Sequence, residues 1–173
     1  MREWHRILNK VLNHGASRND RTGTGTLALF AEQLTFDNSL NFPAVTTKKL
    51  AFHQMAAELE CFIKGADNLE EFHKAGCTVW NGNASTDYWL PHARSKGDLG
   101  RIYGVQWRDY ISLESDKGAL IVRHTDQLTD LVNNMRNMPH SRRHLVTAFN
   151  PGELDKMCLP PCHVFFQTFV RTC

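Results

Sequence analysis

Apolar residues recur at helical spacing in three stretches of the chain. Trp4, Ile7, Leu8, Val11 and Leu12 fall at i, i+3, i+4, i+7 and i+8, which predicts an amphipathic helix stopped by Gly15. A second helix is predicted over about 51–64, with Phe52, Met55, Ala56, Leu59 and Ile63 on one stripe and Gly65 as its stop. Glu58 lies off that stripe, near its flank, so periodicity alone leaves it a solvated carboxylate. Thr125 is placed to cap a third helix that carries Leu128, Leu131, Val132 and Met135 on one face and ends at Pro139. Asn68 is placed to cap a short helix with Leu69 and Phe72.

Between these helices the pattern changes. Residues 27–36 read as a strand, Asp37 to Pro43 as a turn and Val45 to Thr47 as a short strand. Leu145 to Phe149 read as another strand, and Asp116-Lys117-Gly118 as a turn. Asn81 to Leu99 is polar around Tyr88, Trp89 and Leu90. It is the longest loop candidate, and loops of that length in compact domains are often functional. Val164 to Val170 is apolar at both strand parities and rich in aromatic and β-branched residues, the pattern of a strand buried on both faces. Interleaved strands and helices predict an α/β (α+β) class, a mixed sheet covered by helices.

Length and composition narrow the picture only a little. The 173 residues suit one domain with a real core, and a net charge of +2 gives no bulk electrostatic case for nucleic acid. Any anion site must be a local cluster. Five cysteines, at 61, 77, 158, 162 and 173, form no C-x-x-C pair, which argues against a disulfide framework or a zinc site and for a reducing cytoplasm. No apolar run reaches membrane-spanning length, and the N-terminus has no apolar signal core.

Candidate chemistry centres on Leu159-Pro160-Pro161-Cys162-His163. Two prolines hold the approach to Cys162 extended and stiff, so the thiol stands where a rigid turn enters a core strand. That suits a nucleophile that must be aimed; a small buried hydrophobe is the plainer reading. Strand alternation sends His163 to the side opposite Cys162. Asp20-Arg21-Thr22-Gly23-Thr24-Gly25-Thr26 is either a plain turn or a loop able to fold its N–H groups and a guanidinium round a phosphate. Arg142 and Arg143, entering a strand side by side, read as a solvated pair or an anion site.

Taken in order, these segments resemble thymidylate synthase. The resemblance runs through Asp-Arg-Thr-Gly-Thr-Gly-Thr at 20–26, Phe-Pro-Ala-Val-Thr-Thr-Lys-Lys at 42–49 and Glu-Leu-x-x-Phe-Ile-Lys-Gly at 58–65. It continues through Val-Trp-Asn-Gly-Asn-Ala-Ser at 79–85, Gly-Asp-Leu-Gly-x-x-Tyr-Gly-x-Gln-Trp-Arg at 97–108, Asp-Gln-Leu at 126–128 and Ser-Arg-Arg at 141–143. It closes with Gly-Glu-Leu-Asp-Lys-Met…Leu-Pro-Pro-Cys-His…Phe-Gln at 152–167. The resemblance implies reductive methylation of dUMP to dTMP, with 5,10-methylenetetrahydrofolate giving carbon and hydride and no metal. It implies Cys162 as the nucleophile at C6 of uracil, Glu58 and Tyr103 as proton handlers, Arg21, Arg142 and Arg143 as phosphate ligands, and Trp80 and Asn83 as folate contacts. It further implies a cytoplasmic homodimer in which the arginine pair reaches the neighbouring site, with no DNA substrate and no membrane.

Several positions depart from the family pattern. Asn81 stands where aspartate is usual, which bears on folate contacts there. Glu60-Cys61 replaces an apolar pair, and Arg101 replaces a proline, which is expected to loosen the loop before Tyr103. The family continues past Cys173, so residues 1–173 are expected to be one domain incomplete at its C-terminus and doubtful in activity alone. Two other functions fit the same residues: a dUMP or dCMP hydroxymethylase, and an inactive remnant that binds nucleotide or partner subunits.

Overall fold

The computed structural model describes residues 2–20 and 23–171. They fall into two compact units, Met1–Ala51 and Phe52–Cys173. In the first unit the predicted helix α1 spans Arg2–His14, and Gly15 closes it by donating its N–H to Val11 O at 2.8 Å. Strands β1 (Ala16–Arg18) and β2 (Thr26–Ala28) pair antiparallel, and the described part of the glycine-rich segment lies in the connection between them. Within it Gly23 and Gly25 take positive φ, and Asp20 Oδ1 accepts the Gly25 N–H. The strand expected over 27–36 shortens to these three residues, and 45–47 form no strand. Glu32 instead bonds Lys10 and Arg6 on α1.

In the second unit α2 (Phe52–Lys64) carries the core, but on a different face from the predicted stripe. Ala57, Cys61 and Phe62 are buried, while Phe52, Met55, Leu59 and Ile63 remain 44–51 % exposed. The helix is apolar on both sides, and packing chose the side that admits close approach. A Cβ at Gly104 would lie 2.7 Å from Phe62 O, so the bare glycine lets helix α4 (Tyr103–Arg108) sit against the backbone of α2. Gly65 ends α2 at φ +78°, with Ala66 N–H on Cys61 O at 3.0 Å and Gly65 N–H on Phe62 O at 3.1 Å. Phe62 then meets five rings, those of Phe72, Trp80, Tyr103, Trp107 and His163, at centroid separations of 4.8–6.3 Å.

Asn68 caps α3 (Leu69–Lys74), its side chain accepting the Glu70 N–H at 3.0 Å. The expected loop 81–99 is tightly folded: Trp89 and Asp98 are each 2 % exposed, and Trp89 Nε1 donates to Asp98 O at 2.6 Å. Strands β3 (Tyr110–Asp116) and β4 (Ala119–Thr125) form a hairpin whose turn residues Lys117 and Gly118 both have positive φ. Helix α5 (Gln127–Asn137) is capped by Asp126 rather than Thr125: the aspartate accepts the Thr129 N–H at 3.0 Å.

Strand β5 (Leu145–Thr147) pairs antiparallel with β6 (Phe165–Gln167). The α/β class holds, yet the described strands form three two-stranded antiparallel ladders instead of one mixed sheet. Nor is the 164–170 segment buried on both faces. Phe166 packs inward against Trp107 at 5.5 Å and Thr168 Oγ1 reaches Met135 Sδ at 3.4 Å, while Phe165 and Phe169 are 57 % and 86 % exposed. Among the described residues β6 has a neighbour on one edge only, and the face that carries Phe165 and Gln167 is exposed.

Arg101 overturns the expectation of a loosened loop. Its guanidinium donates to Glu153 Oε2 at 2.7 Å and pairs with Asp109 at 3.3 Å, and its N–H meets Lys156 O at 2.8 Å. Glu153 is 5 % exposed and also accepts from Gln106 at 2.9 Å and Asn150 at 3.3 Å. Burial works to raise this carboxyl, but the hydrogen bonds from Arg101 and Gln106, with the charges of Arg101 and Lys156, hold it below the ordinary carboxylate value. A depressed folded value means the stabilisation is full above the unfolded value of about 4.3 and is lost as pH falls through the folded one. Thermal melts should therefore show the native protein losing Tm below about pH 4.3 more steeply than Glu153→Gln, which should already be less stable at neutral pH.

Candidate active site

Cys162 is exposed at the end of the diproline turn, with Pro161 buried beneath it. Residues 161–164 are not strand, since β6 begins at Phe165, so alternation does not govern this turn. Its backbone N–H donates to Tyr103 Oη at 2.5 Å, a tie across 59 positions of sequence. Tyr103 is 5 % exposed at the start of α4, whose close packing on α2 fixes it. Burial pushes its hydroxyl up from the ordinary phenol value. The Cys162 N–H acts the other way, and the adjacent Cys162 thiol again pushes up. At neutral pH the tyrosine is therefore a hydroxyl able to donate.

His163 stacks on the Tyr103 ring at 4.0 Å, with 24° between the planes. This placement was not legible from strand alternation. The signal that could have shown it is the Pro160-Pro161 pair, which delays the strand and so cancels the parity argument for the next residues. Burial lowers the His163 imidazole below its ordinary value.

Glu58 is half-buried beside the inward face of α2, and its Oε1 accepts Trp80 Nε1–H at 2.8 Å. Burial raises its carboxyl, and the indole hydrogen bond offsets part of that rise. Trp80 is 4 % exposed, wedged against Phe62 at 6.0 Å, Phe72 at 6.2 Å and Tyr103 at 6.1 Å. The structure thus links Glu58, Trp80, Tyr103 and Cys162 through contacts centred on Phe62. In the sequence Phe62 stands within the Glu-Leu-x-x-Phe-Ile-Lys-Gly segment but off the predicted apolar stripe.

The other candidates lie apart from this chain of contacts. Asn83 starts a short 3-10 turn, and its carbonyl accepts the Thr86 hydroxyl at 3.2 Å. Asn81, the departure from aspartate, is engaged by His73 Nε2 at 2.7 Å. Both Asn81 and His73 line a cavity of about 760 Å³ with Leu69, Leu90 and Lys96, and Cys162, Tyr103 and Glu58 form none of its wall. Arg142 and Arg143 are exposed on the turn before β5, and neither guanidinium forms an ion pair among the described residues. Arg21 lies outside the described residues.

Cys61, Cys77 and Cys158 are buried and free, their thiols pushed up by burial, Cys158 to about 12. They are inert packing residues, so Cys162 is the one exposed thiol among the described cysteines. Among the described residues no group of three His, Cys, Asp or Glu side chains could hold a metal ion, and no helix is long and apolar enough to cross a membrane.

An α/β chain whose one exposed thiol among the described cysteines follows a diproline turn and meets a buried tyrosine defines a class of fold and site. The family profile for thymidylate synthase matches residues 2–173. The chain belongs to the thymidylate synthase family, a family of methyltransferases.

The Glu58–Trp80 contact has a checkable consequence. Trp80→Phe removes a donor that favours the carboxylate, so Glu58 should titrate higher in the variant than in the native protein, where it already lies above the ordinary carboxylate value. Side-chain carboxyl NMR reads both values; a lower value in the variant would contradict the assignment.

Proposed function

We propose that this protein carries out reductive methylation of dUMP to dTMP, with 5,10-methylenetetrahydrofolate as the donor of carbon and hydride. The observation that carries the reading is the hydrogen bond between Tyr103 and the Cys162 backbone, in a chain matched by the family over residues 2–173. Cys162 is the nucleophile. Its thiolate adds to C6 of uracil, and the displaced electron pair makes C5 the carbon that attacks the folate methylene. The C5 proton then leaves as the bond from the methylene to the folate nitrogen breaks, a hydride from the released tetrahydrofolate converts the methylene to a methyl group, and the electron pair pushed back expels the thiolate from C6. The products are dTMP and dihydrofolate.

The surrounding groups suit these steps. Tyr103, whose hydroxyl keeps its proton, stands at the nucleophile and orders the departure of the C5 proton. Glu58, raised by burial, is a carboxyl able to give and take a proton nearer neutral pH than a solvated one. Arg142 and Arg143, on an exposed turn and without an ion pair among the described residues, and Arg21 meet the phosphate, the arginine pair in the partner subunit's site of a cytoplasmic homodimer. Trp80 serves the folate side by fixing Glu58, and Asn83 contacts the folate.

Cys162→Ser should abolish the covalent adduct formed with a 5-fluorinated dUMP analogue, read as a mass shift, whereas Cys158→Ser should retain it. An adduct that persists without the Cys162 thiol would end this reading. Product analysis separates hydroxymethylation, which leaves tetrahydrofolate and a hydroxymethylated nucleotide, from methylation. Nucleotide binding with no turnover would favour a remnant. Arg142→Ala should weaken dUMP by about tenfold to a hundredfold and deoxyuridine hardly at all, measured by calorimetry.

A further inference from the structure

Strand alternation puts His144, Val146 and Ala148 on the inward side of β5, exposed by 1 %, 0 % and 1 %. His144 is the one polar side chain of the three. Its Nε2 lies 3.1 Å from Met138 O and 3.3 Å from Pro139 O, carbonyls at the C-terminal end of α5 that the helix itself leaves without donors. Two carbonyl acceptors require that nitrogen to carry the hydrogen. Nδ1 is buried with no partner among the described residues, so the ring's polar role is confined to this end of α5.

The same residue is tied on its other side. The His144 carbonyl accepts the Thr168 N–H at 2.9 Å, just beyond β6, and Gln167 Nε2 reaches Arg142 O at 3.4 Å. Ser141 N–H closes back on Met138 O at 2.9 Å. The intervening turn, residues 139–143, is thus pinned to α5 by an imidazole and to the strand after Cys162 by backbone. Arg142 and Arg143 have no ion pairs of their own among the described residues, so the backbone of this turn sets where their guanidiniums point.

We propose that His144 is a positioning residue: it holds the 139–143 turn, and with it the arginine pair, in register with the segment that carries Cys162. The part concerning phosphate rests on the reading of Arg142 and Arg143 given above. His144 touches no substrate in this scheme and acts only through the turn.

The test uses the full chain as His144→Leu, which keeps bulk without the donor, and His144→Gln, which keeps an N–H at the Nε2 position. Amide hydrogen exchange without ligand should speed up about tenfold at Ser141 and Thr168 in the leucine variant and stay near native in the glutamine variant. The ratio of dUMP to deoxyuridine affinity should fall about tenfold with leucine, at unchanged deoxyuridine affinity, and recover with glutamine. A general structural role would weaken both ligands equally. Native exchange at both amides in the leucine variant, or an unchanged affinity ratio despite faster exchange, would overturn the proposal. If the native protein itself does not prefer dUMP, the phosphate reading fails, and exchange still decides whether His144 holds the turn. Should the leucine variant not fold, His144→Asn replaces it: its donor sits at the Nδ1 position and should loosen the turn equally, and native exchange there would overturn the inference.

Discussion

Much of the second unit depends on one side chain meeting several others. Phe62 lies at the centre of five aromatic rings contributed by α3, the segment after it, α4 and the turn at Cys162. Aromatic pairs at these separations add to the area they bury, and a ring shared among five neighbours makes their placements interdependent. The constraint that permits it is small. Gly104 has no Cβ, so α4 can approach the α2 backbone closely enough for Tyr103 to sit 4.8 Å from Phe62. The contact between Tyr103 and the Cys162 backbone follows from that packing.

A second, polar constraint stands on the far side of Tyr103. Arg101 precedes it by two residues and is held by Glu153 and Asp109, while Gln106 shares the same carboxylate from within α4. A buried carboxylate with donors from three side chains is satisfied, where one with a single partner would cost stability. Substituting arginine for proline before Tyr103 therefore replaces backbone stiffness with a tethered side chain. Gln127 adds a further clamp. Its amide donates to Gln106 O at 2.7 Å and Thr147 O at 2.8 Å and accepts the Thr147 N–H at 3.0 Å, so α5 presents β5 with a strand-like pair of bonds. The helix that carries the tyrosine and the strand that follows the arginine turn are joined through this amide.

Local chemistry was legible wherever a residue acts on its own neighbours. Asn68 as a cap, Gly15 and Gly65 as stops and the 116–118 turn all depend on backbone geometry within a few positions, and all stand as the sequence predicts. Thr125 failed as a cap because Asp126, one residue on, offers a carboxylate that takes the Thr129 N–H and hydroxyl together. The order of motifs also placed the chain in its family. It could do so because each motif is a fixed residue type at a fixed spacing.

What the sequence could not decide is which face of an evenly apolar element is covered. Helix α2 offers two apolar sides, and periodicity chose the one that stays exposed; the bulk of Phe62 and the bareness of Gly104 chose the other, and so brought Glu58 to Trp80. The 164–170 segment likewise reads as buried on both faces, yet burial needs partners that lie elsewhere in space, and the exposed Phe165 and Phe169 find none that cover them among the described residues. The sequence alone determined the three long helices, the Asn68 cap, the glycine stops and the order of motifs that places the chain in its family. Tertiary structure decided which reactive groups meet, because meeting is set by contacts between residues as much as 59 positions apart, and no local pattern encodes such pairs.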